Sequence, residues 1–202
     1  MTSSGNFPEF IIARTYPTAI SIRVLTDSGC LIAAVTKKLV NELKLLVHKS
    51  KVRYHISGIT EGDLFSCEIV IIKLQLKGMK VFQVTAVVLP CEDDWTAVVP
   101  DIQPPWLPDM VPFLADPDIV YSRGKPLSYQ LILGGDYMTL FKLRSFHFDE
   151  TFALLESPAG LIPRGRVISP CTSVPSISRI RISMLHAQVK SMTNPKLLLM
   201  MS

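Results

Sequence analysis

The sequence predicts a mostly β protein, a small closed barrel that carries one or two short helices. Three observations support this fold class: short runs of alternating apolar and polar residues, a long β-hairpin, and an apolar run that ends at a glycine pair. The chain has 202 residues, of which 48% are hydrophobic and 19% charged, so it is long enough to bury a sizeable core.

The first strand signal covers residues 10–26. In its second half the alternation places Ile20, Ile22 and Val24 on one face, which is typical of a strand with one buried side.

A short helix and three strands are predicted in the middle of the chain. Apolar residues on one side indicate a helix over 35–46, with Thr36 or the preceding turn as its cap. A strand over 51–60 runs into a glycine turn. Alternation over 67–76 and 81–89, separated by a Lys-Gly turn, predicts a long β-hairpin.

The segment 90–126 is rich in proline, which removes backbone hydrogen-bond donors, so we predict a loop insertion with little regular structure. It holds eight of the 15 prolines: Pro90, Pro100, Pro104, Pro105, Pro108, Pro112, Pro117 and Pro126. An apolar strand over 129–133, a short helix over 137–142 and a strand or hairpin over 146–156 are expected to follow.

Charge and composition suggest three regions: an N-terminal extension over 1–9, a domain over 10–160 and a basic tail over 161–202. After residue 156 the chain has six basic and no acidic residues, so residues 1–156 hold 15 Lys and Arg against 17 Asp and Glu and are close to neutral. Because no apolar run spans a membrane and no secretory signal is evident, we expect a cytoplasmic or particle-associated protein that is not secreted.

The cysteine and histidine pattern predicts neither a metal site nor a disulfide framework, and we expect no cofactor. The four cysteines have no Cys-x-x-Cys pair, and none of the four histidines has metal-ligand spacing from a cysteine. They are Cys30, Cys67, Cys91, Cys171, His48, His55, His147 and His186.

The tripeptide Asp27-Ser28-Gly29 directly follows the predicted strand over 10–26 and occurs once. A carboxylate delivered by a strand into a tight Ser-Gly turn is how aspartic proteases present their catalytic group. In a chain of this length, a single copy implies that the second carboxylate comes from another subunit. An ordinary surface turn is the alternative, since Asp, Ser and Gly all favour turns.

The chain resembles the retropepsin-like aspartic protease domain of BEL/Pao-type retrotransposons over about residues 10–160. The segments that carry the resemblance are Val24–Gly29, Leu39–Leu45, Leu114–Pro117 and Leu131–Tyr137. The resemblance implies a retropepsin-like closed acid-protease barrel, half of a pepsin-type fold. It also implies an aspartic endopeptidase that cleaves a polypeptide as a homodimer.

The resemblance further implies roles for individual residues. Asp27 from each protomer would be catalytic, Ser28 would bond across the interface, and Gly29 would allow close backbone approach. The segment Ile132-Leu133-Gly134 would brace the Asp loop from beneath, and the turn Ser57-Gly58-Ile59-Thr60 would be the flap over an extended peptide. The substrate would be a retroelement polyprotein.

Other acidic residues have simpler interpretations. We expect Asp136 to cap a helix, Asp116 to lie in a loop or cap, and Glu92-Asp93-Asp94 to be a solvated loop.

Two alternatives to a protease stay open from the sequence. The first is a catalytically silent retropepsin-like module for dimerisation or peptide binding, because Thr26 and the apolar stretch Cys30–Ala34 depart from the family pattern. The second is an RNA-associated fragment that binds through the basic tail, a thin signal since the tail lacks interleaved aromatic residues.

Overall fold

The computed structural model describes residues 5–55, 64–77, 79–139, 144–147 and 151–167. Its first element is an antiparallel hairpin of β1, Phe10–Thr15, and β2, Ser21–Thr26, in which Phe10 lies opposite Leu25. The single long strand predicted over 10–26 is therefore two strands joined by a turn. Ile22 and Val24 are buried as the alternation predicts, whereas Ile20 precedes β2 and is exposed.

The helix that follows is shorter than predicted. Residues Ala33–Thr36 form strand β3, and α1 spans Lys37–Glu42. Thr36 caps α1 as expected: its hydroxyl accepts a hydrogen bond from the Leu39 N–H at 3.3 Å. The predicted first turn of the helix is instead strand because β3 pairs with strands on both of its sides and all four of its residues are buried.

Three strands form the other side of the sheet: β4, His48–His55; β5, Leu64–Gln75; and β6, Phe82–Leu89. The predicted long hairpin is β5 and β6, paired antiparallel from Glu68 opposite Val88 to Leu74 opposite Phe82. Alternate residues of this hairpin enter the core: Val70, Ile72, Leu74, Val84, Ala86 and Val88.

The proline-rich segment contains more regular structure than predicted. It holds β7, Trp95–Val98, a 3₁₀ helix at Leu107–Phe113 and α2, Asp118–Tyr121, and at its end begins β8, Pro126–Tyr129, which pairs with β7. Burial of its apolar residues explains why this segment folds into regular structure. The buried residues are Val99, Trp106, Leu107, Met110, Ile119 and Val120.

The barrel closes through β9, Leu131–Leu133, which lies between β2 and β3. The strand order is β1-β2-β9-β3-β6-β5, and β1 also pairs with β5, so six strands form a closed ring while β4 extends the sheet beyond β5. The prediction of a mostly β closed barrel with few, short helices is confirmed. A third helix, α3, Gly135–Met138, directly follows β9.

A second sheet contains β10, Arg144–His147; β11, Phe152–Ser157; and β12, Gly160–Gly165. The strand or hairpin predicted over 146–156 is β10 and β11. Because β12 pairs along the whole of β11, the folded body continues to residue 165, past the boundary predicted at 160. Phe7, in the predicted N-terminal extension, is buried and bridges to Gly165.

Most of the predicted basic tail, from residue 168 onward, lies outside the described residues. Within the described ranges, every helix is too short to be a membrane-spanning candidate.

Candidate active site

Asp27 begins the turn at the end of β2. Its N–H donates to the Leu133 carbonyl at 3.0 Å, and its own carbonyl accepts from the Cys30 N–H at 3.2 Å. The carboxylate oxygen Oδ1 accepts from the Gly29 N–H at 2.9 Å, and the side chain is partly exposed. The backbone of Asp27 is thus fixed on both sides while its carboxylate is held at the surface of the turn.

The predicted brace residues lie directly against this turn. In β9, Ile132 and Leu133 pair in parallel with Leu25 and Thr26 of β2. At Gly134 an added Cβ would lie 2.7 Å from the Ile32 carbonyl carbon and oxygen. Only a residue without a side chain allows the two backbones to approach this closely.

A further hydrogen bond joins the same two segments. The Gly135 N–H donates to the Cys30 carbonyl at 2.7 Å, and the Cys30 thiol lies 3.0 Å from the Ile32 carbonyl oxygen. The Asp27 turn and the start of α3 therefore form one hydrogen-bonded unit.

The outer side of the turn is open to solvent. Ser28 and Gly29 are exposed, and the neighbouring Leu31 side chain is 85% exposed. The surface beside Asp27 is therefore accessible.

Glu9 is a site residue that the sequence did not indicate. Its carbonyl accepts from both the N–H and the hydroxyl of Thr26, at 2.9 and 3.0 Å, and its carboxylate pairs with Arg164 at 3.0 Å. Burial raises the pKa of the Glu9 carboxyl, Arg164 partly offsets this, and the charge of Asp27 raises it further. Glu9 thus lies within electrostatic reach of Asp27, and only the fold brings the two together.

Tyr129 is a second residue near Asp27 that was not predicted. Burial raises the pKa of its phenol, and the negative charge of Asp27 raises it further. Its ring centroid lies 5.5 Å from that of Phe10 and 5.6 Å from that of Trp95. The apolar strand signal over 129–133 includes Tyr129 but does not by itself suggest a role at the site.

The helix-cap interpretation of Asp136 is wrong. Gly134 is the N-cap of α3, without a side-chain hydrogen bond, and Asp136 lies exposed in the first helical turn. Partial burial raises the pKa of the Asp136 carboxyl, and hydrogen bonds from the N–H groups of Asp136 and Tyr137 oppose that rise.

Asp116 lies in a loop as expected but is buried there. It forms an ion pair with Arg23 and accepts from the Asp118 N–H at 3.1 Å. This carboxylate is therefore committed to an internal ion pair.

The acidic segment 92–94 also has partners, which the prediction of a solvated loop did not include. Glu92 pairs with Lys37 at 2.7 Å and Asp94 with Lys38 at 3.1 Å, which joins this segment to the start of α1. These contacts raise the pKa of both lysines through hydrogen bonding and opposite charge.

The predicted flap, residues 57–60, lies outside the described residues. In the part of the chain that is described, no group of three or more His, Cys, Asp or Glu side chains is arranged to hold a metal ion.

No protein-family model matches the chain, and no curated protein matches it. Among solved structures it is similar to a retropepsin-like aspartic protease from Rickettsia conorii, with 13% identity, a TM-score of 0.39, and coverage of 82% of this chain and 94% of that one. It is also similar to the retroviral protease-like domain of Ddi1 from Leishmania major, with 11% identity, a TM-score of 0.37, and coverage of 83% and 98%. The fold class of this chain rests on its own strand order.

Proposed function

We propose that the chain is an aspartic endopeptidase that acts as a homodimer, with Asp27 of each protomer forming the catalytic pair. The observation that carries the proposal is the Asp27 turn itself. Its carboxylate is held by the Gly29 N–H at the end of β2, and Gly134 permits backbone contact beneath it.

The second carboxylate is proposed to come from a second copy of the chain. The sequence has one Asp-Ser-Gly turn, and Ser28, Gly29 and Leu31 leave an exposed surface beside Asp27 that the turn of the second copy would contact. Ser28 would bond across the interface, and the lack of a side chain at Gly29 would allow the turns to meet.

Two carboxylates held this close share one proton, because the second negative charge is costly beside the first. The ionised Asp27 takes a proton from a bound water, and the protonated Asp27 of the other copy donates a hydrogen bond to the scissile carbonyl. The water attacks that carbonyl carbon, and proton transfer to the leaving amine completes hydrolysis.

The proposed substrate is an extended polypeptide bound as an added strand and cleaved at apolar junctions. A retroelement polyprotein, processed in the cytoplasm or in a particle, is the source that the sequence resemblance implies. We further propose that residues 57–60 act as the flap.

A catalytically silent module for dimerisation or peptide binding is the second candidate. The residues around Asp27 favour it, because Thr26 and the apolar stretch Cys30–Ala34 depart from the family pattern. Such a module would bind peptide-like ligands without cleaving them.

The test is cleavage of a mixed peptide library at about pH 5 and high protein concentration, comparing the wild type with Asp27→Asn. Asparagine keeps the shape of the side chain but removes the base, so we expect cleavage to fall by at least about 10³-fold. The wild-type rate should rise more steeply than in proportion to protein concentration, because the active species is a dimer.

Two outcomes would contradict the proposal. Absence of cleavage by a dimer that sedimentation confirms, together with binding of a statine-type inhibitor, would establish the silent module. A wild-type rate that is flat between about pH 4 and about pH 8 would exclude a shared-proton pair.

A further inference from the structure

A cleft of about 410 Å³ lies where β1 meets β5, on the outside of the barrel. Its strand side includes Ile12 and Arg14 of β1 and Gln75 at the end of β5. Leu114 and Ala115, which follow the 3₁₀ helix, contribute to the opposite side. Its volume falls in the range of about 300–1,000 Å³ that is common for small-molecule sites.

This cleft is separate from the Asp27 site. In the β1–β2 hairpin, Phe10 lies opposite Leu25, close to Asp27, whereas Arg14 lies opposite Ser21 at the other end. Four residues of strand correspond to about 14 Å. The two sites therefore lie at opposite ends of the hairpin.

Backbone hydrogen bonds hold the walls of the cleft in place. The Ile12 N–H donates to the Ala115 carbonyl at 3.2 Å, and the Ala115 N–H donates to the Leu161 carbonyl at 2.9 Å. Since backbone hydrogen bonds tie both sides of the cleft to the sheets, its walls are held in place, which lowers the cost of binding.

The chemistry of the lining is apolar with cations at the edge. Ile12, Leu114 and Ala115 supply apolar surface, while Arg14 and Lys77 are both exposed. Neither cation forms an ion pair with any acidic residue in the described ranges.

We propose that this cleft binds a carboxylate attached to an apolar body, with Arg14 and Lys77 contacting the anion and Ile12, Leu114 and Ala115 contacting the body. A guanidinium and an ammonium together satisfy a carboxylate through charge-assisted hydrogen bonds. None of the described residues that line the cleft is aromatic, so they offer no platform for the base stacking that supports single-stranded nucleic acid binding. The proposal does not depend on protease activity.

The test is nuclear magnetic resonance titration of the full ¹⁵N-labelled chain with octanoate, and with octylammonium as the charge-reversed probe. We expect octanoate to shift the amide signals of Ile12, Gln75 and Ala115 saturably, with a dissociation constant on the order of millimolar for so small a ligand. Octylammonium should not shift them. A parallel titration with acetyl-leucyl-leucine and its C-terminal amide shows whether a peptide carboxylate is also accepted.

The double variant R14Q/K77Q should weaken octanoate binding at least about tenfold, because it removes both cations. Its matched control is K49Q/K125Q, which removes the same charge from exposed positions away from the lining. All four side chains are exposed, so we expect both variants to keep the dispersed spectrum of the wild type. If the double variant loses the dispersed spectrum, the single variants R14Q and K77Q provide the same comparison.

Octanoate shifts that are confined to the cleft and lost only in R14Q/K77Q would support the proposal. Tighter binding of acetyl-leucyl-leucine than of its amide would identify a peptide C-terminus as a ligand, and binding of octanoate alone would identify a free aliphatic acid. Absence of saturable shifts with both carboxylates, or equal binding by R14Q/K77Q and the wild type, would overturn it.

Discussion

At the scale of single residues, Gly134 and Gly135 are adjacent but differ in the space around them. A Cβ at Gly134 would lie 2.7 Å from Ile32 backbone atoms and 2.8 Å from the Cys30 carbonyl oxygen, whereas a Cβ at Gly135 would meet nothing nearer than 3.6 Å. The first separation requires the backbone beneath Asp27 to move, and the second is an ordinary contact.

We therefore expect Gly134→Ala to lower the free energy of unfolding by about 1–3 kcal/mol and to reduce any Asp27-dependent cleavage. Gly135→Ala is the matched control and should change stability by less than about 0.5 kcal/mol. Urea unfolding of the two variants measures the difference. Equal stability of the two would show that the Ile32 backbone is not confined as described.

Glu9 predicts a pH dependence of stability. Its pKa is raised in the folded protein, chiefly by burial, so the folded state binds its proton more tightly than the unfolded state does. The resulting stabilisation is complete below the unfolded pKa of about 4.5 and is lost as the pH rises through the folded pKa. Glu9→Gln, which cannot ionise, avoids that loss.

We expect the stability of Glu9→Gln relative to the wild type to increase between about pH 4 and about pH 7, measured as the free energy of unfolding in urea. The variant also loses the pairing with Arg164, so the trend with pH, rather than the value at one pH, is the informative quantity. Glu42→Gln, at an exposed position on α1, is the control. A relative stability that falls with pH would contradict the assignment.

At the scale of elements, Arg23 joins β2 to the segment that precedes β8. Its guanidinium pairs with the buried Asp116 and, at 2.7 Å, with Asp118, and donates to the Ser128 carbonyl at 3.0 Å. The two acids differ in exposure, since the Asp116 side chain is 1% exposed and that of Asp118 is 61% exposed. Only the charge of the buried Asp116 carboxylate depends on Arg23 for neutralisation, because water solvates the exposed Asp118 carboxylate.

Arg23→Met should therefore lower the free energy of unfolding by about 3–5 kcal/mol, because it leaves the Asp116 charge buried and unpaired. Asp118→Asn, at the exposed end, should cost less than about 1 kcal/mol. In a double-mutant cycle measured by urea unfolding, adding Asp116→Asn to Arg23→Met should recover part of the loss. Strict additivity of the two changes would show that the pair is not coupled.

The sequence predicted those elements that are determined by residues close together in the chain. The alternation in the β5–β6 hairpin, the Asp27 turn at the end of a strand and the cap at Thr36 are all of this kind. These features depend on side-chain period and turn chemistry, which short stretches of sequence contain.

Features that depend on distant parts of the chain were not predictable in the same way. The Arg23–Asp116 pair spans 93 residues, and nothing near either residue indicates the other. Most of strand β12 falls in the predicted tail because the sequence beyond Pro158 has no strong period. Within the described sheet β12 pairs only with β11, and such an edge position accommodates Pro163. Glu9 is likewise 18 residues from Asp27 in sequence, and the pairing of its backbone with Thr26 brings it to the site.

At the scale of the whole molecule, the proposed dimer makes a prediction about two exposed leucines. Leu31 beside the Asp27 turn is 85% exposed, and Leu46, between α1 and β4, is 74% exposed. Their similar exposure makes them a matched pair, but only Leu31 adjoins the proposed contact surface.

Leu31→Asp should weaken self-association, measured by sedimentation over a concentration series, by at least about tenfold because it places a charge in a dehydrated contact. Leu46→Asp should associate as the wild type does. Both changes are at the surface, so the unfolding free energy of the monomer should move by less than about 0.5 kcal/mol in each case. Equal effects of the two on association would place the contact elsewhere.

The pairing of β2 with β9 also affects how the site is made during protein synthesis. Asp27 is translated before Leu133 and Gly135, which bond to its turn and follow about a hundred residues later, an interval on the order of ten seconds at ordinary rates of elongation. Until then the Asp27 turn has only its local hydrogen bonds and lacks those to Leu133 and Gly135, whose late formation is a non-local step of the kind that slows folding. A nascent chain therefore carries the carboxylate well before it carries a formed site, which delays any proteolysis until the barrel has closed.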